Sequence, residues 1–563
     1  MKKLILATLM AAPFMANAVT DIQMKPIEAR NLQNAQNVQS GPYDLPIITW
    51  GGDIATILGN GTSTTTKSGS EFKKNGLGFK LKREDVFQQQ LNNYISGKTP
   101  YLRGTMSMIN MAAAAVKDNP NLAPVVFYQL TWSAGGDALV VKSNIRRASD
   151  LCGKTIALNY DGPHLNYANR ILTDAGCDVS KNKIVWTKDL TGTDETPMEA
   201  LRMSNVDAAF VIIPDALALT SGGNVGDGSE DSVNGAHILL STKTANRVIA
   251  DVYAVRKDYY DRNKGEVESL AGALFKSQEN LQKLASTKGA QYDKLMAASA
   301  GILLDAPEAI ADTEGLLLDA EIAAFNQNVE FFQNESNFRN FEQIVSESAK
   351  GIQALGVINA PGQVHKAELN YGLLANGLSN SNHVTKSKFD NNEVSKIVER
   401  KQKQNSLDDS TVFEFEVYFK PNQKVFNESL YEAQFKKVLE MSSTYGGAVI
   451  IVEGHSDPMG YLRKKKSNPN AFLLSQVKQS AKNLSMTRAQ QVRQAVVNYS
   501  SSKNLNLDTS QFSVIGHGIT NPKTGICGID PCAPKTEQQW LSNMRVVFRI
   551  LQIEAEETAF SPL

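Results

Sequence analysis

The chain has 563 residues, of which 42% are apolar and 7% aromatic. A chain of this length and composition can bury more than one core, so we expect two to four domains. The 58 basic and 58 acidic residues give a formal net charge of +0, and the chain as a whole offers no field that attracts a polyanion. Nucleic acid is therefore not an expected partner.

Residues 1–18 show the three parts of a secretory signal peptide in order. Lys2 and Lys3 precede an apolar stretch, and Ala16-Asn17-Ala18 supplies small residues at the cleavage position. The apolar stretch is too short to span a bilayer, and no later apolar run approaches about 18 residues. We expect a soluble exported protein that begins at Val19 and has no lipid anchor there.

Residues 45 to about 377 alternate short apolar segments with segments of helical periodicity. The sequence predicts strands at 45–50, 123–130, 137–142, 154–160 and 206–213, a helix at 165–175, and mostly helices after about residue 244. Strands separated by helices predict parallel α/β sheets.

The four cysteines form two local pairs, Cys152 with Cys177 and Cys527 with Cys532. In an oxidising compartment this spacing suggests two disulfides, although four cysteines allow three connectivities. Neither pair has His or Cys at the spacing that a zinc site needs, which favours structural bridges.

Residues 378–410 are polar and poor in aromatic side chains, which predicts a linker with one solvated helix at 394–403. A second domain follows at 411–555. Its predicted order is a strand at 412–420, a helix at 431–442, a strand at 448–454, a helix at 484–499 and strands at 512–518 and 544–551. This order predicts a compact α/β sandwich.

His455, Ser456 and Asp457 follow one another directly after the strand at 448–454. A Ser–His–Asp triad needs three side chains that converge with the His in the middle, which three consecutive turn residues do not easily provide. The second Gly of a nucleophile elbow is missing, and one His with one Asp is a weak metal site. We therefore predict no catalytic residue, metal or cofactor here.

Arg488 is the second candidate of this domain. Ser485 is a good N-cap, which would place Arg488 at the third helical position, beside free N–H groups that suit a carboxylate. If Asp457 lies nearby, the two charges would bind a zwitterion. The simpler alternative is a surface Asp and a solvated helix Arg.

The motifs Gly454-His455-Ser456-Asp457, Leu484-Ser485-x-x-Arg488-Ala489-Gln490, Gly516-His517-Gly518 and Asn543-x-Arg545-Val546 together resemble the OmpA-like peptidoglycan-binding domain. The resemblance implies that Asp457 and Arg488 hold the zwitterionic end of diaminopimelate, with Ser485 and Arg545 in the same site. The Cys527/Cys532 pair resembles a small disulfide loop of some members. Ala481, Met544 and an inserted segment at 461–480 depart from the family pattern.

Residues 145–176, 198–217 and 249–260 resemble, in order, segments of the solute-binding proteins of ABC importers, in the branch that binds nitrate, taurine and thiamine precursors. The resemblance covers about 45–370. It implies a two-lobed, type II-like periplasmic-binding-protein fold within 19–377, with lobe 1 at about 45–142 and 251–377 and lobe 2 at about 143–250. It also implies an inner-membrane permease as partner. Together with the OmpA-like resemblance, it implies a solute-binding protein of an ABC-type importer in the periplasm of a Gram-negative-type bacterium, held non-covalently to peptidoglycan.

Ligands of open α/β sheets bind beyond the carboxyl ends of the strands. The residues in those loops that we expect to line a ligand cleft are Trp50, Gly51, Asp53, Gly104, Thr105, Trp132, Asp161, His164 and Asp215. Acidic residues favour an amine, whereas helix N-termini and Arg103 favour an acid, so the ligand's charge stays open. A partner-binding envelope protein and an enzyme are the alternatives, and no convincing nucleophile–base pair supports the enzyme.

Overall fold

The computed structural model describes residues 22–379, 396–398, 400–401, 411–468, 470–505 and 507–551. The predicted signal peptide and most of the predicted linker lie outside these ranges. Among the residues described, no helix has both the length and the apolar character that crossing a bilayer requires.

The strands, in chain order, are β1 (Tyr43–Ile47), β2 (Phe79–Arg83), β3 (Tyr101–Thr105), β4 (Pro124–Ser133), β5 (Asp137–Val141), β6 (Thr155–Asn159), β7 (Lys183–Thr187), β8 (Ala208–Ile212), β9 (His237–Ser241), β10 (Ala250–Arg256), β11 (Ala320–Ile322), β12 (His365–Lys366), β13 (Thr411–Tyr418), β14 (Val449–His455), β15 (Phe512–Gly518), β16 (Ile526–Cys527), β17 (Asp530–Pro531) and β18 (Arg545–Leu551).

The helices, in chain order, are α1 (Asp53–Gly59), α2 (Glu71–Lys74), α3 (Phe87–Ile95), α4 (Met106–Ala115), α5 (Leu165–Asp174), α6 (Pro197–Leu201), α7 (Ile213–Leu219), α8 (Lys257–Tyr260), α9 (Lys264–Thr287), α10 (Ala290–Leu303), α11 (Ile310–Leu318), α12 (Phe325–Gln333), α13 (Phe341–Ala354), α14 (Tyr371–Leu374), α15 (Glu432–Thr444), α16 (Met459–Ser467), α17 (Ala471–Ser502) and α18 (Glu537–Ser542).

Two lobes, each built on its own sheet, form the N-terminal unit. The lobe-1 sheet has the order β11-β4-β10-β3 with β12 beside β4, and β1 and β2 form a separate parallel pair. The lobe-2 sheet has the order β7-β6-β8-β5-β9. This two-lobed α/β architecture with a C-terminal α/β sandwich confirms the predicted fold class.

The sheets are mixed, so the prediction of parallel sheets is wrong. In lobe 2, β6 runs parallel to β7 and β8, whereas β5 runs antiparallel to β8 and β9. In lobe 1, β10 runs antiparallel to β3 and β4. The cause is the path of the chain, because β5 enters lobe 2 and β10 re-enters lobe 1 against the direction of their neighbours.

Sheet membership also sets where the chain crosses between lobes. Because β4 belongs to lobe 1 and β5 to lobe 2, the first crossing is residues 134–136. The second crossing is residues 242–249, between β9 and β10. The lobe boundaries predicted at about 142 and 251 therefore lie a few residues beyond the crossings, and lobe 2 begins with β5.

The C-terminal domain has a four-stranded sheet of order β13-β18-β14-β15 and a separate β16–β17 hairpin, and α17 packs directly on the larger sheet. A Cβ atom added at Gly454 of β14 would lie only 1.9 Å from the carbonyl oxygen of Ser485. Glycine is therefore needed there, because helix and strand backbones are in contact. The four predicted strands are present, but the β16–β17 hairpin and α18 lie between the last two, β15 and β18, which were predicted to be consecutive.

The long helix begins earlier than predicted. The Asn470 side chain caps it by accepting from the N–H groups of Phe472 and Leu473 at 2.9 and 3.2 Å. Ser485 is thus in the middle of α17 and is not an N-cap, which corrects the prediction. The segment at 461–480 contributes most of α16 and the first turns of α17. Because Arg488 is thus far from the start of the helix, the N–H groups near it are used in hydrogen bonds within the helix.

Part of the predicted linker packs against the C-terminal sheet. Residues 396–398 are helical, and Ile397 and Val398 are buried in one cluster with Val449, Ile451 and Leu551. Because these two apolar side chains cover a face of the sheet, this stretch is not the solvated helix that the sequence predicts.

The C-terminal domain lies in contact with the lobes. Tyr445, which is fully buried, donates its hydroxyl to Asp174 of lobe 2 at 2.9 Å. The Gly447 N–H donates to the carbonyl oxygen of Thr244 in the second crossing at 3.1 Å. The predicted separation of receptor and C-terminal domain by a long linker is therefore not seen in this arrangement.

Arg170 of α5 connects all three bodies. Its guanidinium lies 2.6 Å from Asp174 in its own helix, 2.9 Å from Glu347 of α13 and 3.1 Å from Glu440 of α15. The three carboxylates belong to lobe 2, to the part of lobe 1 that follows the second crossing (the lobe-1 return segment) and to the C-terminal domain. This ion-pair cluster therefore joins all three in this arrangement.

Candidate functional site

A buried charge cluster lies under the cleft in lobe 1. Arg103 is 0% exposed and its guanidinium lies 2.8 Å from Asp53 and 2.6 Å from Asp251. Burial raises the pKa of Asp53 to about 7, against the lowering effect of Arg103. Asp53 is therefore part of the lobe-1 core and not an open ligand-binding carboxylate, which corrects its predicted role.

The loop before α1 places Trp50 and Gly51 at the junction of the lobes. The Trp50 ring nitrogen donates to the hydroxyl of Thr131 at 2.8 Å, and a Cβ at Gly136 would lie 2.5 Å from the ring. A Cβ at Gly51 would lie 1.9 Å from the carbonyl oxygen of Leu316 in α11. Trp50 thus packs on the first crossing, and α11 covers Gly51.

The other three lobe-1 candidates have structural positions. Thr105 accepts a hydrogen bond from Met108 at the start of α4, and Gly104 packs so tightly on Met108 that an added Cβ would approach its sulfur to 2.9 Å. Trp132 is buried edge-to-face against Phe331 with ring centres 5.9 Å apart. The predicted cleft-lining role of these three residues is therefore corrected to capping and packing.

The lobe-2 candidates converge at the carboxyl ends of β6, β7 and β8. His164 is fully buried, its Nε2 lies 2.7 Å from Asp137, and its Nδ1 has no hydrogen-bond partner. Asp215 accepts from the Thr191 hydroxyl at 3.0 Å, while its Oδ2 is buried without a partner. Burial raises the pKa of Asp215, and nearby His164 opposes that effect.

Asp161, which follows β6, is already occupied by a side chain of the same protein. Its carboxylate lies 2.6 Å from the guanidinium of Arg30, and both side chains are nearly buried, at 12% and 6% exposure. The Arg30 guanidinium also lies 4.4 Å above the ring of Tyr160. Sequence reasoning missed Arg30, because it lies 131 residues away in a segment with no motif of its own.

A fourth carboxylate, Asp319, faces the first crossing. A Cβ at Gly135 would lie 2.5 Å from its Oδ1, and burial raises the pKa of Asp319 to about 6. Together with Asp137, Asp161 and Asp215, it makes the polar groups at the lobe junction predominantly acidic. No local sequence pattern distinguished Asp319 from a surface residue that follows a helix.

In the C-terminal domain, Arg488 projects from α17 toward the edge where β14 ends. Its guanidinium donates to main-chain carbonyl oxygens, the nearer of which are those of Gln423 at 2.9 Å and Lys420 at 3.3 Å. The guanidinium carbon lies 5.1 Å from the centre of the Phe419 ring. Burial lowers the pKa of Arg488 to about 10, so it is a cation held by carbonyl groups with no carboxylate bonded to it in the described part of the chain.

Asp457 lies at the same edge, two residues beyond the end of β14. Its Oδ2 accepts from the Met459 N–H at 2.8 Å, and its Oδ1 is buried without a hydrogen-bond partner. Burial raises the pKa of Asp457, and the neighbouring side chains of Trp540 and Asn543 oppose this. Because Arg488 also donates toward the carbonyl oxygen of His455, the two charged groups flank one short turn without contacting each other.

Ser485 and Arg545 support this edge from within the fold. The Ser485 hydroxyl accepts from the Gly518 N–H at 2.9 Å and donates to the Lys482 carbonyl at 2.8 Å. Arg545 is buried and lies 3.1 Å from Glu416. Ser485 therefore holds α17 against β15, whereas Nε and Nη1 of Arg545 are buried without a hydrogen-bond partner. Direct contact of these two residues with a ligand stays a prediction.

Glu453, His455 and His517 place potential metal-ligand atoms within 4.8 Å of one another. Glu453 is already bonded to His517 at 2.9 Å and to Arg549 at 2.8 Å. The two imidazole rings are stacked at 4.9 Å with an angle of 17°, so their in-plane lone pairs do not converge. Glu453 and His517 are therefore hydrogen-bonded to each other, whereas both ring nitrogens of His455 are buried without a hydrogen-bond partner.

The predicted disulfide pairs are confirmed. Cys152 is bonded to Cys177 and Cys527 to Cys532. The first bridge links the loop before β6 to the end of α5, and the second closes the β16–β17 hairpin.

The sequence matches no protein-family model and no curated protein. Solved structures of similar fold include the periplasmic sulfonate-binding protein of an ABC transporter from Methylobacillus flagellatus, with 14% identity over 62% of this chain and 97% of that one and a TM-score of 0.42. The aliphatic sulphonate-binding protein of Escherichia coli has 15% identity over 62% and 98% with a TM-score of 0.40. The peptidoglycan-associated lipoprotein of Burkholderia pseudomallei has 16% identity over 24% and 88% with a TM-score of 0.17. At these identities the likeness concerns fold alone.

Proposed function

We propose that this protein is a periplasmic solute-binding protein of an ABC-type importer that a C-terminal OmpA-like domain holds non-covalently to peptidoglycan. It binds and does not catalyse. The ligand lies between the lobes, the wall peptide lies at the edge of the C-terminal sheet, and an inner-membrane permease receives the ligand.

The observation that carries the wall-binding part is the pair of opposite charges at the end of β14. Asp457 has a buried carboxylate oxygen without a hydrogen-bond partner, and Arg488 is a buried cation bonded to carbonyl groups. A ligand with an ammonium beside a carboxylate, as at the end of diaminopimelate, would satisfy both groups at once. The resemblance of the motifs around these residues to the OmpA-like domain supports the same assignment.

The receptor part rests on the two-lobed architecture. Two separate sheets joined by two crossings can close on a ligand by a hinge motion. Polar groups with unsatisfied atoms, His164 and Asp215, lie at the carboxyl ends of the lobe-2 strands, where ligands of such sheets bind. The ordered resemblance of residues 145–260 to importer receptors supports a transport role.

Co-sedimentation of the purified protein with sacculi tests the anchor. We expect Asp457→Asn and Arg488→Lys each to reduce the bound fraction at least tenfold. Asp508→Asn is the matched control, because this exposed Asp lies at the opposite end of the sheet, before β15. Equal binding by all four proteins would refute the anchor.

A thermal-shift screen with small acids, amines and sulfonates tests the receptor part, because a bound ligand stabilises the fold by mass action. We expect at least one class of compound to raise the unfolding midpoint of the lobes, and we expect this rise to be smaller in the Asp215→Asn variant. No stabilisation by any class would instead favour an envelope protein whose lobes bind another protein.

A further inference from the structure

Arg30 belongs to an N-terminal segment, residues 22–39, that touches both lobes. The Ile22 N–H donates to the carbonyl oxygen of Trp186 in lobe 2 at 3.3 Å. The Ile27 N–H donates to the carbonyl oxygen of Val357 in the lobe-1 return segment at 2.9 Å. Ile27 is fully buried. The segment is therefore seated on lobe 1 and reaches across to lobe 2.

The guanidinium of Arg30 occupies a built cation site in lobe 2. It bonds the Asp161 carboxylate at 2.6 Å and lies 4.4 Å above the ring of Tyr160. A carboxylate combined with an aromatic face is a favourable environment for an organic cation. Both residues directly follow β6, so the site lies at the edge of the sheet where a ligand is expected.

Further polar atoms at this edge have no hydrogen-bond partner. The Nδ1 atom of the His164 imidazole, whose Nε2 lies 2.7 Å from Asp137, is buried without a hydrogen bond. Oδ2 of Asp215 is likewise buried without a partner. The Nη2 atom of Arg30 is also buried without a hydrogen-bond partner. Asp161 and Asp215 thus give the edge two carboxylates, and the group that pairs with Asp161 is the chain's own Arg30.

Resting on the proposed receptor function, we infer that the cleft takes a ligand with amine or guanidinium groups and that Arg30 occupies its cation subsite in the unliganded protein. An entering cation displaces Arg30 from Asp161 and Tyr160. The same event releases residues 22–39 from one of their contacts with lobe 2, so the segment acts as a tethered competitor of the ligand.

Titration calorimetry on residues 19–563 tests this with two cationic probes, methylguanidine and agmatine, and with taurine as an anionic comparison. Methylguanidine carries one guanidinium, and agmatine carries a guanidinium and an amine on one chain. We expect Arg30→Ala to bind agmatine at least tenfold more tightly than the natural chain, because the internal competitor is gone. We also expect agmatine to bind more tightly than methylguanidine, because its second cation reaches Asp215.

Three controls make the result specific. Asp161→Asn added to Arg30→Ala abolishes binding of both probes, whereas Asp215→Asn removes only the advantage of agmatine. Arg247→Ala removes another Arg that pairs with a carboxylate, Glu321 at 2.7 Å, and lies beside an aromatic ring. We expect the Arg247→Ala variant to bind agmatine no more tightly than the natural chain does. If Arg30→Ala does not fold, Arg30→Gln serves in the same titrations.

Equal affinity of the Arg30 variant for both probes, or a preference for taurine over agmatine, would overturn the inference. These titrations need neither sacculi nor a permease. A preference for taurine would therefore reject the cation subsite while leaving the receptor proposal in place.

Discussion

Replacing Gly447 by Ala should separate the C-terminal domain from the lobes. A Cβ atom at this position would lie 1.7 Å from the carbonyl oxygen of Lys243 and 3.0 Å from the Cα atom of Thr244. Both obstacles are main-chain atoms of the second crossing, so neither can move aside by a side-chain rotation. The α15–β14 loop must therefore withdraw by more than an ångström.

The withdrawal would remove five polar contacts of this interface. Two are main-chain hydrogen bonds, Gly447 to Thr244 at 3.1 Å and Arg247 to Thr444 at 3.3 Å. Three involve charged groups: Tyr445 and Lys437 each contact Asp174, and Arg170 contacts Glu440. At about 1 kcal/mol for a neutral bond and roughly 1.5 for one to a charge, the docking contacts contribute on the order of 6 kcal/mol.

Small-angle X-ray scattering of the full chain measures the separation as an increase in the radius of gyration. Gly446→Ala is the matched control, because its added Cβ would meet, at 2.7 Å, only the side-chain oxygen of Asn246, which can rotate away. Retained sacculus binding by Gly447→Ala would show that the C-terminal domain still folds. An unchanged radius of gyration for Gly447→Ala would refute the docked arrangement.

Three further predictions concern buried ionisable groups. Arg103→Met leaves the two buried carboxylates without their cation, so we expect the free energy of unfolding, measured in urea, to fall by about 3–5 kcal/mol. A fall of less than about 1 kcal/mol would contradict the buried cluster. Because the folded-state pKa of Asp53 is raised to about 7 from 3.8, the folded lobes bind more protons, and the stability this contributes is lost as the pH rises through 7. In the Asp53→Asn variant, the thermal midpoint should therefore fall less between pH 6 and pH 8 than it does in the natural chain. In the C-terminal domain the sign is opposite: the folded-state pKa of His455 falls from 6.5 to about 3 and that of Glu453 from 4.5 to about 2, so stability should decrease on acidification below pH 6.5. His455→Gln should flatten this decrease in a series of thermal melts, and an unchanged slope would count against the buried neutral imidazole.

Strands such as β4 and β5 were predictable because burial on both faces produces continuous apolar runs, whereas β2, β3, β7 and β9 have no counterpart among the predicted strands. β4 and β5 are buried along their whole length, and such runs are recognisable without knowledge of their neighbours. Strand direction was not predictable, because it depends on where the chain crosses between lobes. A crossing of a few residues such as 134–136 has no sequence signature.

The start of α17 was misjudged for a local reason. Ser485 has the sequence context of an N-cap, but its hydroxyl serves the Gly518 N–H of the neighbouring strand. Helix caps and inter-element hydrogen bonds use the same residue types. Only the packing of α17 on β14 and β15 distinguishes the two roles.

The proximity of Asp457 and Arg488 was predictable from motifs, whereas the positions of the cleft candidates were only partly so. Asp457 and Arg488 lie near one edge as expected, but Asp53 and Trp132 lie in the core. Loop position after a strand identifies an edge of the sheet and does not tell which side chains turn inward. The Arg30–Asp161 ion pair joins residues 131 positions apart, a separation at which no periodicity or spacing rule operates.

The most direct test of the central claim is fluorescence titration of the mature chain with a soluble muropeptide that ends in diaminopimelate. Trp540 lies beside Asp457 and influences its pKa, so occupation of this edge should change its emission. We expect a saturable change that Asp457→Asn shifts to at least tenfold higher concentration. The same curve for the natural chain and Asp457→Asn, or no change in either, would contradict the account.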